Sequence, residues 1–221
     1  MNHPDFDSKQ EIQEKWSSVD INHIQSVLQR PTTEKTIEKI EDAGISKSDS
    51  ILEVGCGWGR LITQIEGAEQ KFGIDLSPDM LRQQELLFDN QIEKVNGDAD
   101  SLPFQPNTFD LIYSVRVLQY VTNINHAISE MKRVLVDGGK LVIILPNKYN
   151  PYNYFTYHTK LYSPREIIDA FNNNGFTDIS HVFFNFSPPE HFVELLEGFS
   201  SIPFFKRLGG LYAVTGTAES I

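Results

Sequence analysis

The stretch Ile51-Leu-Glu-Val-Gly-Cys-Gly-Trp-Gly-Arg-Leu61 places three glycines, Gly55, Gly57 and Gly59, within five residues directly after a short apolar run. Glycine adopts positive φ at little steric cost and has no side chain to hold a ligand off the backbone. A glycine-rich turn from strand to helix therefore lets a ligand approach main-chain N–H groups at a helix N-terminus. The spacing is GxGxG, preceded by Glu53. A dinucleotide fingerprint, GxGxxG, would need glycine at position 60, which is Arg60. A nicotinamide or flavin site fails by one residue.

Working outward, further short apolar runs stand at 71–74, 92–96, 109–115 and 140–145, with helix-like segments between them at about 59–66, 78–89 and 123–136. Two helical patterns come first, at roughly 8–28 and 33–43, the second closed by Gly44 as a C-cap. Ser163-Pro-Arg-Glu166 reads as a capping box, and Asn174-Gly175 ends the helix it opens. Apolar segments at 178–186 and 211–217 follow, separated by a predicted helix at 188–199. Nearly continuous apolar strands alternating with helices argue for a doubly wound α/β domain with a mainly parallel sheet covered on both faces.

Two acids complete the pattern of the glycine turn. Asp75 ends the second predicted strand, 20 residues after Gly55, the separation at which a carboxylate accepts hydrogen bonds from a ribose diol. Asp98 lies in Asn96-Gly-Asp-Ala-Asp100, the turn after the third strand. Three such turns at the carboxyl ends of successive strands converge on one crevice and describe a nucleoside site with no phosphate requirement. Each has a plainer reading. The glycines could form a tight turn alone, Asp75 could serve the start of the helix at Ser77-Pro-Asp79, and Asp98 could be a turn former. Their common register favours the ligand.

Composition excludes more than it identifies. The chain has 221 residues, 40% of them hydrophobic, and a formal charge of -11, which disfavours nucleic acid and anionic membrane as partners. The single cysteine, Cys56, permits no internal disulfide and fits a reducing, cytoplasmic setting. The polar N-terminus carries no signal-peptide core, and the aliphatic run at 141–145 is too short to span a bilayer. No histidine pair at i, i+4 and none beside Cys56 supports a metal site.

The ordered set ExGxGxG, GIDLSPDML, GDADSLPF, NTFDLIYSVRVLQYV and EMKRVLVDGGKLVIILPN, spanning about 45–180, resembles the class I S-adenosylmethionine-dependent methyltransferases. Within these it is similar to the small-molecule group that includes the menaquinone and ubiquinone methyltransferases. The resemblance implies a Rossmann-like sheet of seven strands with the last one antiparallel, a place that residues 211–218 would fill. It implies a helical extension over 1–48 and a cofactor-binding methyltransferase domain over 49–221. Gly55, Gly57 and Gly59, with Cys56 among them, would line the methionine part, and Glu53 would support its ammonium. Asp75 would take the ribose hydroxyls, with Leu76 and Met80 flanking the adenine. Asp98 would accept from the adenine amino group beside Ala99, and Ser114, Val115 and Arg116 would lie next to the transferable methyl. Arg60 either meets the cofactor carboxylate or reaches solvent.

The implied activity is methyl transfer from S-adenosylmethionine to a small-molecule acceptor by in-line displacement. The rival readings are a non-catalytic S-adenosylmethionine-binding module and, behind it, a nicotinamide-dependent oxidoreductase. Many relatives carry histidine in the pattern V-L-x-H-V after the fourth strand. Here Val117-Leu-Gln-Tyr-Val121 has Tyr120 at that place, so Tyr120 is a candidate base or a packed aromatic. The connection after the fifth strand holds Tyr149, Tyr152, Tyr154, Phe155, Tyr157, His158 and Tyr162. In this family it often walls the acceptor pocket together with the N-terminal helices. Tyr154, Tyr157, Trp16 and His23 are therefore the acceptor-side candidates and His158 the proton acceptor, against the alternative that the rings only anchor a loop.

Overall fold

In the computed structural model, which describes residues 9–17, 31–47, 49–87, 92–150, 153, 159–185 and 209–219, seven strands form one sheet. They are β1 (Ser50–Val54), β2 (Gln70–Asp75), β3 (Glu93–Asn96), β4 (Phe109–Val115), β5 (Leu135–Pro146), β6 (Phe176–Phe184) and β7 (Leu211–Ala218). Their order is β3-β2-β1-β4-β5-β7-β6. The first five pair in parallel, and β7 lies antiparallel between β5 and β6. The expected seven-stranded, mainly parallel sheet is present, with residues 211–218 as the antiparallel strand.

The strands read as apolar runs because both faces are covered. Along β5, Leu141, Ile143 and Leu145 enter one hydrophobic cluster while Val142 and Ile144 enter another. This is the period of two that puts successive side chains on opposite faces. The first cluster is closed by α4 (Ile124–Val134), through Ala127, Ile128 and Met131, and by α5 (Pro164–Asn173), through Ile167 and Phe171. The second is closed by Ile40 of α2 (Pro31–Glu41) and by Leu61, Ile62 and Ile65. The other helices among the described residues are α1 (Lys9–Ser17) and α3 (Pro78–Leu87). Ser163 and Glu166 form the expected capping box of α5, and Gly44 takes φ +85 just after α2.

Two departures from the sequence reading go beyond a residue or two at an element's end. The helix expected at 59–66 is a run of turns. A regular helix would direct the Ile62 N–H to residue 58, but it donates instead to Glu53 Oε2 at 3.1 Å. Thr63 Oγ1 and Gln64 Nε2 meanwhile donate to the carbonyls of Gly59 and Arg60 at 2.7 and 2.5 Å, offering the backbone a competing set of bonds. Further along, α4 stops at Val134 and β5 begins at once, five residues before the predicted 140. Leu135 pairs with Phe109, residues 136–139 bulge out with Gly138 at φ +77, and pairing resumes with Lys140 opposite Leu111. The segment predicted as a helix at 188–199 lies outside the described residues, as does the chain between α1 and α2.

Candidate active site

A cavity of about 390 Å³ opens at the carboxyl ends of β1 to β4. Each wall is the turn that follows one strand. Glycine conformation shapes the first wall, with Gly55, Gly57 and Gly59 at φ +77, +55 and +82. The two glycines of this turn that line the cavity have different reasons for lacking a side chain. A Cβ on Gly55 would stand 2.1 Å from Val117 Cγ2, whereas one on Gly57 would meet nothing within 4 Å. Gly55 is thus a packing requirement, while Gly57 leaves open space that a ligand can fill.

Glu53, at the end of β1, forms the floor and is 3% exposed. Its Oε2 accepts from the Ile62 N–H and, at 3.4 Å, from the Tyr113 hydroxyl. Burial pushes its carboxyl up to about 8, against the opposing pull of the Arg60 guanidinium and these hydrogen bonds. Arg60 lines the same wall, and its guanidinium donates to Thr33 Oγ1 of α2 at 2.6 Å. The Arg60 side chain thus lies along the cavity wall with Thr33 as a partner. Burial also raises the Cys56 thiol well above its ordinary value, so Cys56 is a neutral part of the wall and no activated nucleophile.

Asp75 occupies the second wall and ties it to the first. Its Oδ2 accepts from the Gly57 N–H at 2.7 Å and its Oδ1 from the Ser77 N–H at 2.9 Å. Burial raises its pKa, partly offset by these backbone donors. Asn96, which the sequence reading passed over, holds this turn in place by donating to the carbonyls of Asp75 and Leu76. Leu76 and Met80 line the cavity beside it.

Gly97, Asp98, Ala99 and Asp100 make the third wall. Lys9 of α1 bonds Asp98 Oδ2 and reaches Asp100 Oδ2 at 3.0 Å, closing α1 over this turn. Burial works against the Lys9 charge, but the two carboxylates outweigh it and hold the ammonium pKa above its ordinary value. The loop beyond is fastened from α4. Glu130 Oε2 accepts from the Leu102 N–H, and Arg133 donates to the carbonyls of Leu102 and Phe104.

The fourth wall follows β4. Val115 and Arg116 line it, Arg116 with a positive φ of +59, and a 3₁₀ turn at Leu118–Tyr120 brings Gln119 and Tyr120 to the cavity. Ser114 and Gly59 are the two predicted cofactor contacts that stand behind the wall instead. Ser114 is fully buried, with its hydroxyl donating to the Val54 carbonyl, and Gly59 donates its N–H to the Cys56 carbonyl.

On the acceptor side, His158, Tyr154, Tyr157 and His23 lie outside the described residues, and Trp16 lies on α1 with a side chain that is not described. Two rings of the post-β5 cluster are placed. Tyr149 is 54% exposed, and Tyr162 is buried in the core, where its carbonyl accepts from the Tyr212 hydroxyl. For Tyr162 the anchoring alternative holds. Beyond the predicted set, Lys9, Ile12 and Gln13 of α1, with Trp58, Val117 and Gln119, line the cavity. Gln119 and Trp58 left a trace in the sequence, one polar residue in an apolar run and one large ring in a glycine turn. The α1 residues left none. Among the described residues no cluster of three His, Cys, Asp or Glu could hold a metal ion.

Residues 52–143 match a family model described as a methyltransferase domain. The chain is 30% identical over 122 residues to a sterol 4-C-methyltransferase of Caenorhabditis elegans, covering 52% of this chain and 36% of that protein. It is 32% identical over 130 residues to a demethylmenaquinone methyltransferase of Staphylococcus aureus, covering 56% of this chain and 53% of that protein. This chain thus spans about half or less of the length of these curated relatives. In fold it is similar to a Thermotoga maritima S-adenosylmethionine-dependent methyltransferase, described as a possible histamine N-methyltransferase. The TM-score is 0.73 at 17% identity, covering 94% of this chain and 100% of that one.

Proposed function

We propose that this chain is a class I S-adenosylmethionine-dependent methyltransferase and that it methylates a small, partly apolar acceptor. One observation carries the reading: the glycine turn, Asp75 and Asp98, on three successive strands, meet at a single cavity. Its volume falls within the roughly 300–1,000 Å³ of ordinary small-ligand pockets. The donor groups of S-adenosylmethionine find matching acceptors there. Glu53 receives the ammonium, Asp75 the ribose diol, and the Asp98–Asp100 turn the adenine amino group. Gly57 leaves room for close approach to the backbone, and Arg60, held by Thr33, faces the methionine carboxylate.

The cofactor supplies a methyl group already activated on a sulfonium, so the protein's work is alignment and exclusion of water. Val115 to Val121 bound the side of the cavity away from the β2 and β3 turns, and there the acceptor stands. Trp58, Val117 and Val121 suit an apolar body, in keeping with relatives named for a sterol and a demethylmenaquinone. Tyr154, Tyr157, Trp16 and His23 extend this wall, with Tyr120 or His158 as the proton acceptor where one is needed.

The test is incubation with methyl-labelled S-adenosylmethionine and a metabolite extract, followed by identification of the labelled product. A labelled small molecule is the expected result. Cofactor binding with no labelled product from any extract would convert the reading to a binding module. A nicotinamide titration that saturates would overturn the cofactor assignment.

A further inference from the structure

Two buried side-chain oxygens on the cavity wall have no hydrogen-bond partner, Asp100 Oδ1 and Gln119 Oε1. Asp100 already binds Lys9 through its other oxygen and belongs to the β3 turn beside Asp98. Gln119 is different. It is 7% exposed and stands on the 3₁₀ turn after β4, in an otherwise apolar run between Leu118 and Val121. A buried carbonyl oxygen with no donor is a cost that folding leaves uncompensated unless something bound supplies the donor.

The reading of the site as a methyltransferase, on which this inference rests, restricts that donor. The cofactor's ammonium, ribose hydroxyls and adenine amino group are already matched by Glu53, Asp75 and the Asp98–Asp100 turn. Gln119 is the surplus acceptor, and it lies on the wall that follows β4, beyond β1 from the β2 and β3 turns in the strand order. We infer that Gln119 binds the methyl acceptor, and that the acceptor's reacting group carries an N–H or O–H which donates to Gln119 Oε1. Holding that hydrogen aims the lone pair of the same nitrogen or oxygen at the methyl carbon. The new N–C or O–C bond forms as the C–S bond breaks, and its electron pair goes to sulfur. A side-chain amide does not accept a proton at neutral pH, so the hydrogen departs as a proton to the separate proton acceptor named above or to solvent. Gln119 is therefore an acceptor-binding residue and not a base.

Gln119→Leu, with Gln119→Met as a second variant, tests this in four measurements. Ligand-free protein should melt at a higher temperature in at least one variant, because an unpaired buried carbonyl has been removed. A lower Tm in both would make the amide a structural group and overturn the inference. Affinities for S-adenosylmethionine and S-adenosylhomocysteine should stay within about twofold. A tenfold loss for both would assign Gln119 to the cofactor, and a loss for S-adenosylmethionine alone would assign it to the transferable methyl; either overturns the inference. With a metabolite extract as acceptor source, the half-saturating dose should rise about three- to tenfold, the size of one neutral hydrogen bond. An unchanged dose overturns it. Finally, the carbon-13 shift of product made from ¹³C-methyl S-adenosylmethionine should identify an N- or O-methyl group. A methyl on carbon or sulfur overturns the inference while leaving the methyltransferase reading intact. Wild-type protein that fails to bind S-adenosylhomocysteine overturns that reading itself, and this inference with it.

Discussion

Glu53 is sealed beneath the cavity with its carboxyl pushed up to about 8 by burial, so in ligand-free protein at neutral pH it is mostly protonated. Its unfolded pKa is about 4.3. The neutral form therefore contributes stability that is fully present below about 4.3 and is lost as pH rises through about 8. Thermal melts of ligand-free protein should show this decline, and Glu53→Gln should flatten it. A bound ammonium reverses the preference by favouring the carboxylate. Binding S-adenosylmethionine near pH 7 should then expel a proton, and its affinity should climb toward pH 8. Calorimetry in buffers of different ionisation enthalpy measures the proton directly, and zero release would remove the ammonium from Glu53. The glycines of the same turn separate in the same spirit. Gly55→Ala collides with Val117, so its Tm should fall and be partly restored by Val117→Ala. Gly57→Ala meets no atom, so it should keep most of its stability, apart from about 1–2 kcal/mol for its left-handed φ, yet weaken S-adenosylmethionine more than tenfold. Equal affinity in Gly57→Ala and wild type would reduce that turn to a structural role.

At the level of elements, the third wall depends on a helix that contributes no residue to the cavity. Arg133 binds the carbonyls of Leu102 and Phe104 and pairs with both carboxylate oxygens of Glu130, one of which, Oε2, also accepts from the Leu102 N–H. Hydrogen bonds on Arg133 lower the Glu130 pKa, so this clasp persists well into the acid range. Arg133→Ala should release the loop after Asp98, lowering Tm and weakening S-adenosylmethionine severalfold. Arg133→Lys should rescue little, since an ammonium lacks the fork that spans both carbonyls. An unchanged affinity in Arg133→Ala would show that the turn stands without α4. This clasp also marks where sequence reading stops. Strand β4 was legible at its observed limits, and β7 to within one residue, because apolar runs bounded by turn residues identify buried strands directly. The turns with Asp75 and Asp98 were legible because spacing along the chain fixes which strand end they occupy. Residues 59–66 misled because their helical period is real, but the Ile62 N–H was claimed by Glu53, nine residues away. The Arg133 clasp, the Asn96 bonds and the cover of Lys9 are invisible to any local pattern. They join segments 20 to 89 residues apart through single polar atoms.

For the whole molecule, the cavity sits in a chain with a formal charge of -11. Close to the ligand the balance is nearly even, since Lys9, Arg60 and Arg116 face Asp75, Asp98 and Asp100 while Glu53 is mostly protonated near neutral pH. The long-range field is another matter, because it sums over the surface and acts before any contact forms. S-adenosylmethionine carries a sulfonium and is a net cation, whereas S-adenosylhomocysteine is neutral overall. An acidic molecule should therefore steer the substrate cofactor toward the cavity and exert little pull on the spent one. Screening lengths shorten from roughly 30 Å at 0.01 M salt to about 8 Å at 0.15 M. Across that range the association rate of S-adenosylmethionine should fall about two- to fivefold, while that of S-adenosylhomocysteine changes little and both dissociation rates hold. Trp58 in the cavity wall, 8% exposed, gives stopped-flow fluorescence a reporter at the site. A parallel decline for both ligands would point to a general salt effect on the cavity. A rise for S-adenosylmethionine would mean that Lys9, Arg60 and Arg116 govern the approach, and that the molecule's net charge does not reach its own active site.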